Sequence, residues 1–170
     1  MPASAIARNP TADAAIAIAV LGAAAILGAY YFQYVLGLVP CPLCLEQRIA
    51  YYVAIPLALI LAFAALRRAP RAPLVGGLVI IALAMLTNAG LGAYHSGVEW
   101  KLWAGPADCS GPVSSLGRAS DLMQQLRNVQ VVRCDDAPWR FLGLSLAGYN
   151  VLISLALAGI AIWGAVRTRP

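Results

Sequence analysis

Charged residues are scarce in this sequence. Asp, Glu, Lys and Arg make up 11% of its 170 residues, whereas 61% are hydrophobic. A water-soluble domain of this size has too little interior to bury that much apolar surface, because the fraction of surface that a chain buries is limited by its length. The composition therefore excludes an ordinary soluble globular domain and indicates a compact membrane protein.

Several motifs that bind nucleotides or electron carriers are also missing. The sequence has no G-x-G-x-x-G, no P-loop and no cysteine-rich cluster, which argues against a bound dinucleotide, a nucleoside triphosphate and an iron–sulfur centre. It has a single histidine, His95. Since zinc normally takes four ligands, a zinc site would have to use all four cysteines, and this arrangement is kept only as an alternative.

Four long apolar runs account for most of the chain. Runs of about 18 or more residues with few charges are typical of membrane-spanning helices. These runs cover residues of about 14–37, 47–66, 74–93 and 142–166. We predict an all-α membrane protein, a four-transmembrane-helix bundle that forms one integral membrane domain over residues 1–170, with loops at about 38–46 and 94–141. The first run exceeds the apolar core of about 7–15 residues in a signal peptide, so it is interpreted as a retained span.

Arginines cluster at one end of the predicted bundle. They flank the spans at Arg8, Arg67, Arg68, Arg71, Arg167 and Arg169. In the opposite loops, basic and acidic residues balance. Because an excess of arginine in short flanks marks the cytoplasmic face, both termini are expected to be cytoplasmic and both loops to lie outside the cytoplasm.

All four cysteines fall in the two outside loops. Cys41 and Cys44 lie in the short loop, and Cys109 and Cys134 lie in the long one. The space outside the cytoplasm is where disulfides form and persist. An even number of cysteines, split into two local pairs, indicates two disulfides.

The stretch "VPCPLCLEQR", residues 39–48, has the features of a redox-active dithiol. If a helix has begun by Cys44, the free N–H groups of its first turn and Arg48, one turn later, both favour a thiolate there. A purely structural disulfide in so short a loop would add little stability. Glu46 and Gln47 are interpreted as interfacial, solvated residues. A membrane quinone would suit as the electron acceptor, and His95, near the outer end of the third span, has the chemistry to donate a hydrogen bond to a quinone carbonyl.

The long outside loop contains an amphipathic stretch, "SSLGRASDLMQQLRNV", that predicts a short helix on the membrane surface. Cys109 and Cys134 flank it. A disulfide between them would close an accessible loop, and such disulfides are often the exchanging kind, although a structural clasp is the alternative. Polar residues within the spans are expected to bridge helices. They are Thr87, Asn88, Ser145, Asn150 and Ser154.

Two segments, "CPLCLEQR" (41–48) and "CDDAPWRFLGLS" (134–145), resemble the disulfide bond formation protein B (DsbB) family of quinone-dependent thiol oxidases. With the four spans and two cysteine loops, the resemblance covers most of the chain. It implies an enzyme of the bacterial inner membrane that reoxidises a periplasmic thioredoxin-fold oxidase of the DsbA type. The electrons would pass to ubiquinone or menaquinone and so sustain disulfide formation.

The resemblance also implies roles for all four cysteines. The reduced partner would attack a Cys109–Cys134 disulfide at Cys109, and Cys134 would pass the electrons towards Cys41. The Cys41–Cys44 pair would then be reoxidised by the quinone.

A quinone site is implied by the same resemblance. Cys44 would face the quinone, Arg48 would support both the thiolate and the ring, and His95 would lie close by. One departure is Glu46, which stands where some members of the family carry an aromatic residue.

Two other functions are consistent with the sequence. A vitamin K epoxide reductase-like protein also pairs a membrane Cys-x-x-Cys with a quinone, but the short first loop fits it less well. A non-catalytic four-span scaffold with two structural disulfides predicts that the cysteines resist mild reductant and that Arg48 is dispensable. Electron transfer through the two cysteine pairs to a quinone, called the relay below, predicts instead that the Cys41–Cys44 pair exchanges readily.

Overall fold

The predicted spans form helices in the structure. The structure, a computed structural model, describes residues 9–106 and 133–168. Four helices in these ranges are long and apolar enough to cross a membrane, which confirms the predicted all-α, four-helix membrane fold. They are α1 (Pro10–Tyr30), α2 (Pro42–Leu66), α3 (Arg71–Glu99) and α4 (Leu146–Arg167). The predicted surface helix of the long loop and Cys109 lie outside the described residues.

Helices α1 and α4 begin at residues whose side chains cap the first turn. The Asn9 side chain accepts the Ala12 N–H at the start of α1, and the Ser145 hydroxyl accepts the Gly148 N–H at the start of α4. Each cap satisfies one of the free donors of a first turn. Helix α3 continues to Glu99, past the predicted end of the span at about residue 93. Hydropathy marks only the part in hydrocarbon, whereas backbone hydrogen bonding carries the helix on through the interface.

The four helices pack side by side around one core, with α1 against α2 and α4, and α3 against α2 and α4. The core is rich in alanine, and its largest fully buried side chains include Ile18, Leu78, Met85 and Leu157. Small residues let helices approach closely where lipid offers no hydrophobic driving force between them. Many large apolar side chains instead face outwards, as expected for a protein whose solvent is hydrocarbon.

The two ends of the bundle differ in chemistry. At the arginine end, defined by Arg67, Arg71 and Arg167, the start of α1 is hydrogen-bonded to the residue after α4: the Thr11 and Thr168 hydroxyls are 2.8 Å apart. At the cysteine end, defined by Cys41, Cys44 and Cys134, the connections between helices gather the polar groups of the site. The topology of the bundle thus separates its arginine-rich end from its sulfur-bearing end.

Two irregular segments shape the cysteine end. After α1, residues Tyr31–Val35 form one π-helical turn, a feature that often occurs at functional sites. Before α4, the two-residue strands β1 (Arg140–Phe141) and β2 (Leu144–Ser145) pair as a hairpin. Its turn residues, Leu142 and Gly143, both have positive φ, which matches the tight turn that suits a twisted hairpin. The hairpin delivers Ser145 to the bundle interior.

Close packing of α4 against α1 predicts that Gly164 cannot be enlarged. A Cβ added at Gly164 would lie 2.6 Å from the Ala14 Cβ, whereas one added at Gly159, on the same helix, would meet nothing within 4 Å. We expect Gly164→Ala to lower the free energy of unfolding by about 1–3 kcal/mol through overpacking. Gly159→Ala, the matched control, should be neutral or should stabilise the helix by up to about 1 kcal/mol. Unfolding by dodecyl sulfate in mixed micelles, followed by circular dichroism, measures both; equal effects would contradict the packing.

Candidate functional site

The Cys-x-x-Cys pair lies at the start of α2, as the sequence predicts. Cys41 is the N-cap residue, Pro42 opens the helix, and the Cys44 N–H is 3.3 Å from the Cys41 sulfur that accepts it. The Cys41 thiol also donates to the Cys44 sulfur across 2.8 Å. Both are free thiols, so the pair is in its reduced state.

The two sulfurs of the pair occupy different environments. Cys41 is 4% exposed, whereas Cys44 is only half-buried. The hydrogen bond to Cys44, together with burial, raises the pKa of the Cys41 thiol. Cys41 therefore keeps its proton at neutral pH and directs it at Cys44, which is the arrangement of a thiol that supports a neighbouring thiolate.

Arg48 lies one helical turn beyond Cys44, as the spacing predicts. Its guanidinium interacts electrostatically with the Cys44 sulfur. It donates to the Gln33 side chain across 2.7 Å and sits 5.4 Å from the centre of the Tyr30 ring, a distance at which a cation and an aromatic face attract. Gln33 belongs to the π-helical turn, so that turn holds the arginine in place.

His95 lies inside the bundle, beside the cysteine pair. It is 2% exposed. Its Nε2 is 3.6 Å from the Cys41 sulfur, and its Nδ1 is 2.9 Å from the Gln47 side-chain nitrogen. The resemblance places this histidine close to a quinone. The geometry brings it to Cys41, with both ring nitrogens facing protein groups.

Cys134 completes a cluster of sulfurs. It is buried and takes part in a disulfide; the partner that the resemblance implies, Cys109, lies outside the described residues. The sulfurs of Cys41 and Cys134 and a ring nitrogen of His95 all lie within 4.8 Å of one another. Zinc binds thiolates, and a disulfide sulfur carries no such charge. In this redox state the three groups are therefore arranged for sulfur exchange rather than for a metal.

Two further residues of the site, Gln47 and Glu99, were not predicted as such from the sequence. Gln47 is 5% exposed rather than solvated, and its side-chain oxygen accepts from Asn150 across 2.6 Å. The Glu99 carboxylate is buried, accepts the Ser145 hydroxyl, and lies 3.9 Å from His95 Nε2. Both residues link the cysteine pair to α4 and to the hairpin that precedes it.

Spacing along the helix could have found Glu99, whereas for Gln47 it gives the shared face but not the burial of that face. Gln47 stands four residues from Leu43 and from Tyr51, which are both buried, so all three share one face of α2. Glu99 follows His95 by one turn of α3, and residues four apart on a helix are neighbours. The spacing therefore predicts that the Glu99 carboxylate lies beside the His95 ring.

Polar residues within the spans bridge helices in most of the predicted cases. Asn88 on α3 donates to the Ser154 hydroxyl on α4 across 2.9 Å and to Asn150 across 3.3 Å. Ser145 precedes α4 and reaches Glu99. The prediction is wrong for Thr87, whose hydroxyl bonds to the Leu83 carbonyl of its own helix. An outward-facing threonine satisfies itself in this way when no partner helix is within reach.

Known proteins resemble this chain over most of its length. A family model described as "Disulfide bond formation protein DsbB" matches residues 11–164. A protein of Xanthomonas oryzae pv. oryzae named Disulfide bond formation protein B is 34% identical over 137 residues, covering 79% of this chain and 77% of that protein. Proteins of the same name from Xylella fastidiosa and Hahella chejuensis are 30% and 31% identical; each comparison covers 84% of this chain, and 84% and 86% of the relative, respectively.

The unequal environments of Cys41 and Cys44 predict unequal alkylation. Iodoacetamide reacts with thiolates, so we expect it to modify Cys44 of the reduced protein at least about tenfold faster than Cys41 at neutral pH. Because the pKa of the Cys41 thiol is raised, labelling of Cys41 should increase only in the alkaline range. Site-resolved mass spectrometry across pH measures both rates. Cys41→Ser, in which Cys44 is the one remaining thiol of the pair, identifies the signal of Cys44. Equal labelling at neutral pH would contradict the assigned environments.

Proposed function

The chain belongs to the DsbB family of disulfide bond formation proteins, and from this membership and the geometry of the cysteine end we propose that it is a quinone-dependent protein thiol oxidase. It reoxidises a periplasmic disulfide donor with a thioredoxin fold and passes the electrons through two cysteine pairs to a membrane quinone. The coarser part, a multi-pass membrane protein of disulfide bond formation, follows from the family and from the four apolar helices.

The closeness of Cys41 to Cys134 carries this proposal. Their sulfurs lie within 4.8 Å, and the Cys44 sulfur is 2.8 Å from Cys41 on the other side. Thiol–disulfide exchange requires one sulfur to approach another directly. Cys41 therefore stands between the two pairs, where an electron pair entering at Cys134 has a short route to Cys44.

The exchange steps balance in electrons and protons. A donor thiolate attacks the disulfide of Cys134, forms a mixed disulfide and releases one sulfur as a thiolate. The Cys134 thiolate then attacks Cys41 of an oxidised Cys41–Cys44 pair; a Cys134–Cys41 bond forms, the Cys41–Cys44 bond breaks, and Cys44 leaves as a thiolate. The second thiolate of the donor attacks the mixed disulfide, so the donor regains its disulfide and Cys109 leaves as a thiolate. The Cys109 thiolate then attacks Cys134, the Cys109–Cys134 bond forms again, and Cys41 leaves as a thiolate. The two electrons and two protons of the donor are then on Cys41 and Cys44.

The residues around Cys44 fit a quinone. Cys44 is partly exposed, and the neighbouring Leu45 and Ile49 face the lipid, so a carrier dissolved in the bilayer reaches the sulfur from the side. Arg48, held by Gln33 and Tyr30, offers its charge to a carbonyl oxygen and to the Cys44 thiolate. When bound, the quinone supplies an acceptor for two electrons and two protons.

The sidedness of the relay follows from the arginines. The arginine end carries the excess of positive charge that marks the cytoplasm, so the cysteine end faces the periplasm in the bacterial inner membrane. Disulfides persist in that compartment. A reduced thioredoxin-fold donor would meet Cys109 and Cys134 on the long loop.

An anaerobic quinone assay tests the function. The reduced protein in detergent is mixed with a soluble ubiquinone analogue, and quinone absorbance and acid-trapped thiols are followed together. We expect two thiols to disappear for each quinone reduced, and no reaction in Cys44→Ser. Arg48→Gln should slow the reaction about 10–100-fold, because a hydrogen bond to a charged group contributes about 1.5–3 kcal/mol.

A matched arginine provides the control for that assay. Arg71→Gln removes the same charge at the arginine end and should leave the rate unchanged. If neither ubiquinone nor menaquinone analogues oxidise the thiols, the proposed activity is wrong and the structural-disulfide alternative gains support. Equal losses in Arg48→Gln and Arg71→Gln would contradict the role given to Arg48.

A further inference from the structure

A directed chain of hydrogen bonds runs from the middle of the bundle to the cysteine site. The Tyr51 hydroxyl donates to Asn150 Oδ1 across 2.7 Å, and Asn88 Nδ2 donates to the same oxygen across 3.3 Å. An amide oxygen accepts and an amide nitrogen donates. With its oxygen occupied by two donors, Asn150 must present its Nδ2 group to its remaining neighbour, the Gln47 oxygen, 2.6 Å away.

The direction of this chain fixes Gln47 and then His95. Since the Gln47 oxygen accepts from Asn150, its nitrogen is the atom that faces His95 Nδ1, at 2.9 Å. That nitrogen can only donate, so Nδ1 must accept and carries no proton. In a neutral imidazole the proton is then on Nε2.

The groups on the other side of the ring agree independently. The Cys41 sulfur is 3.6 Å from Nε2, and the Glu99 carboxylate is 3.9 Å from it. The ring also hydrogen-bonds to the Cys134 backbone. Ser145 holds the Glu99 carboxylate in position, and the Arg140 guanidinium acts on it electrostatically. Two acceptors, the Cys41 sulfur and the Glu99 carboxylate, thus lie beside Nε2, whereas a donor faces Nδ1.

We propose that Gln47 and Asn150 are positioning residues that hold His95 as the neutral, Nε2-protonated tautomer, so that His95 donates a hydrogen bond to the Cys41 sulfur. Protonating Nδ1 would set an N–H against the Gln47 N–H groups, so His95 stays neutral through the range where a histidine ordinarily titrates. It is a hydrogen-bond donor to Cys41 rather than a base that removes its proton.

The consequence for exchange at Cys41 rests on the proposed function. When a thiolate attacks the Cys134 sulfur of a Cys134–Cys41 bond, a new bond to Cys134 forms, and Cys41 leaves with the electron pair as a thiolate. The Nε2–H group stabilises that developing charge, because hydrogen bonds to ionised acceptors are stronger than neutral ones. The hydrogen bonds from Asn150 through Gln47 to His95 therefore support exchange at Cys41, the sulfur that joins the two cysteine pairs.

A ¹⁵N spectrum tests the tautomer directly, because the chain has only one histidine. The full-length protein, labelled with ring-¹⁵N histidine and held in detergent, gives one signal for each ring nitrogen. We expect an unprotonated Nδ1 and a protonated Nε2 between about pH 5 and 8. A protonated Nδ1 in the unaltered protein, as the other tautomer or as an imidazolium, would overturn the inference without any substitution.

Two substitutions sharpen the test. Gln47→Glu replaces the donor with an acceptor and should move the proton to Nδ1 or create the imidazolium, whereas Gln47→Leu should leave a mixture of tautomers. Thr87→Val, which removes a polar group bonded only within its own helix, is the matched control and should reproduce the unaltered spectrum. An unchanged spectrum in Gln47→Glu would contradict the positioning role.

An exchange rate gives the functional readout. With Cys134 and Cys41 trapped as a mixed disulfide in a Cys44→Ser, Cys109→Ser background, cleavage by dithiothreitol is slow because both sulfurs are buried. We expect His95→Leu, which removes the Nε2 donor, to slow this cleavage a further tenfold or more, on the order of one hydrogen bond to a charged group; an equal rate would overturn the inference. This measurement and the spectrum need no quinone. A confirmed tautomer with an inert quinone assay would overturn the proposed function alone, and an active quinone assay with a protonated Nδ1 would overturn this inference alone.

Discussion

The hydrogen bond from Asn150 to Gln47 ties the fourth helix to the second, and the arrangement of the cysteine end depends on it. In hydrocarbon an amide has no water to fall back on, so each buried polar group must find a partner within the protein. Asn150 meets this requirement with Tyr51 on one side and Gln47 on the other. The same bond that packs the bundle therefore also orients the ring of His95.

The two sulfurs of the Cys-x-x-Cys pair have different surroundings. Cys41 lies in the interior, with His95 and Cys134 close to it. Cys44 lies at the surface, near the guanidinium of Arg48. The N-terminus of α2 places the two sulfurs one turn apart, with Cys41 inside the bundle and Cys44 partly exposed.

Hydropathy and motif spacing predicted the four helices and the position of the cysteine pair, because both depend on local sequence. They could not orient the helices. Apolar residues cover nearly all of each helix, so periodicity alone does not show which face is buried, and the prediction that Gln47 is solvated is wrong. The π-helical turn that positions Gln33 depends on packing at the end of α1, and the partner of Glu99 depends on the hairpin before α4. Neither is encoded in a short motif.

Burial of the Cys41 and Cys134 sulfurs limits their exchange with small thiols. Cys41 and Cys134 are 4% and 1% exposed, so a small dissolved thiol has almost no surface through which to attack either one. The bundle thus shields the Cys41 and Cys134 sulfurs from thiols in solution. In the proposed oxidase, electrons then reach these two sulfurs through a docked protein, so the flux follows the supply of that partner rather than the general reducing power of the surroundings.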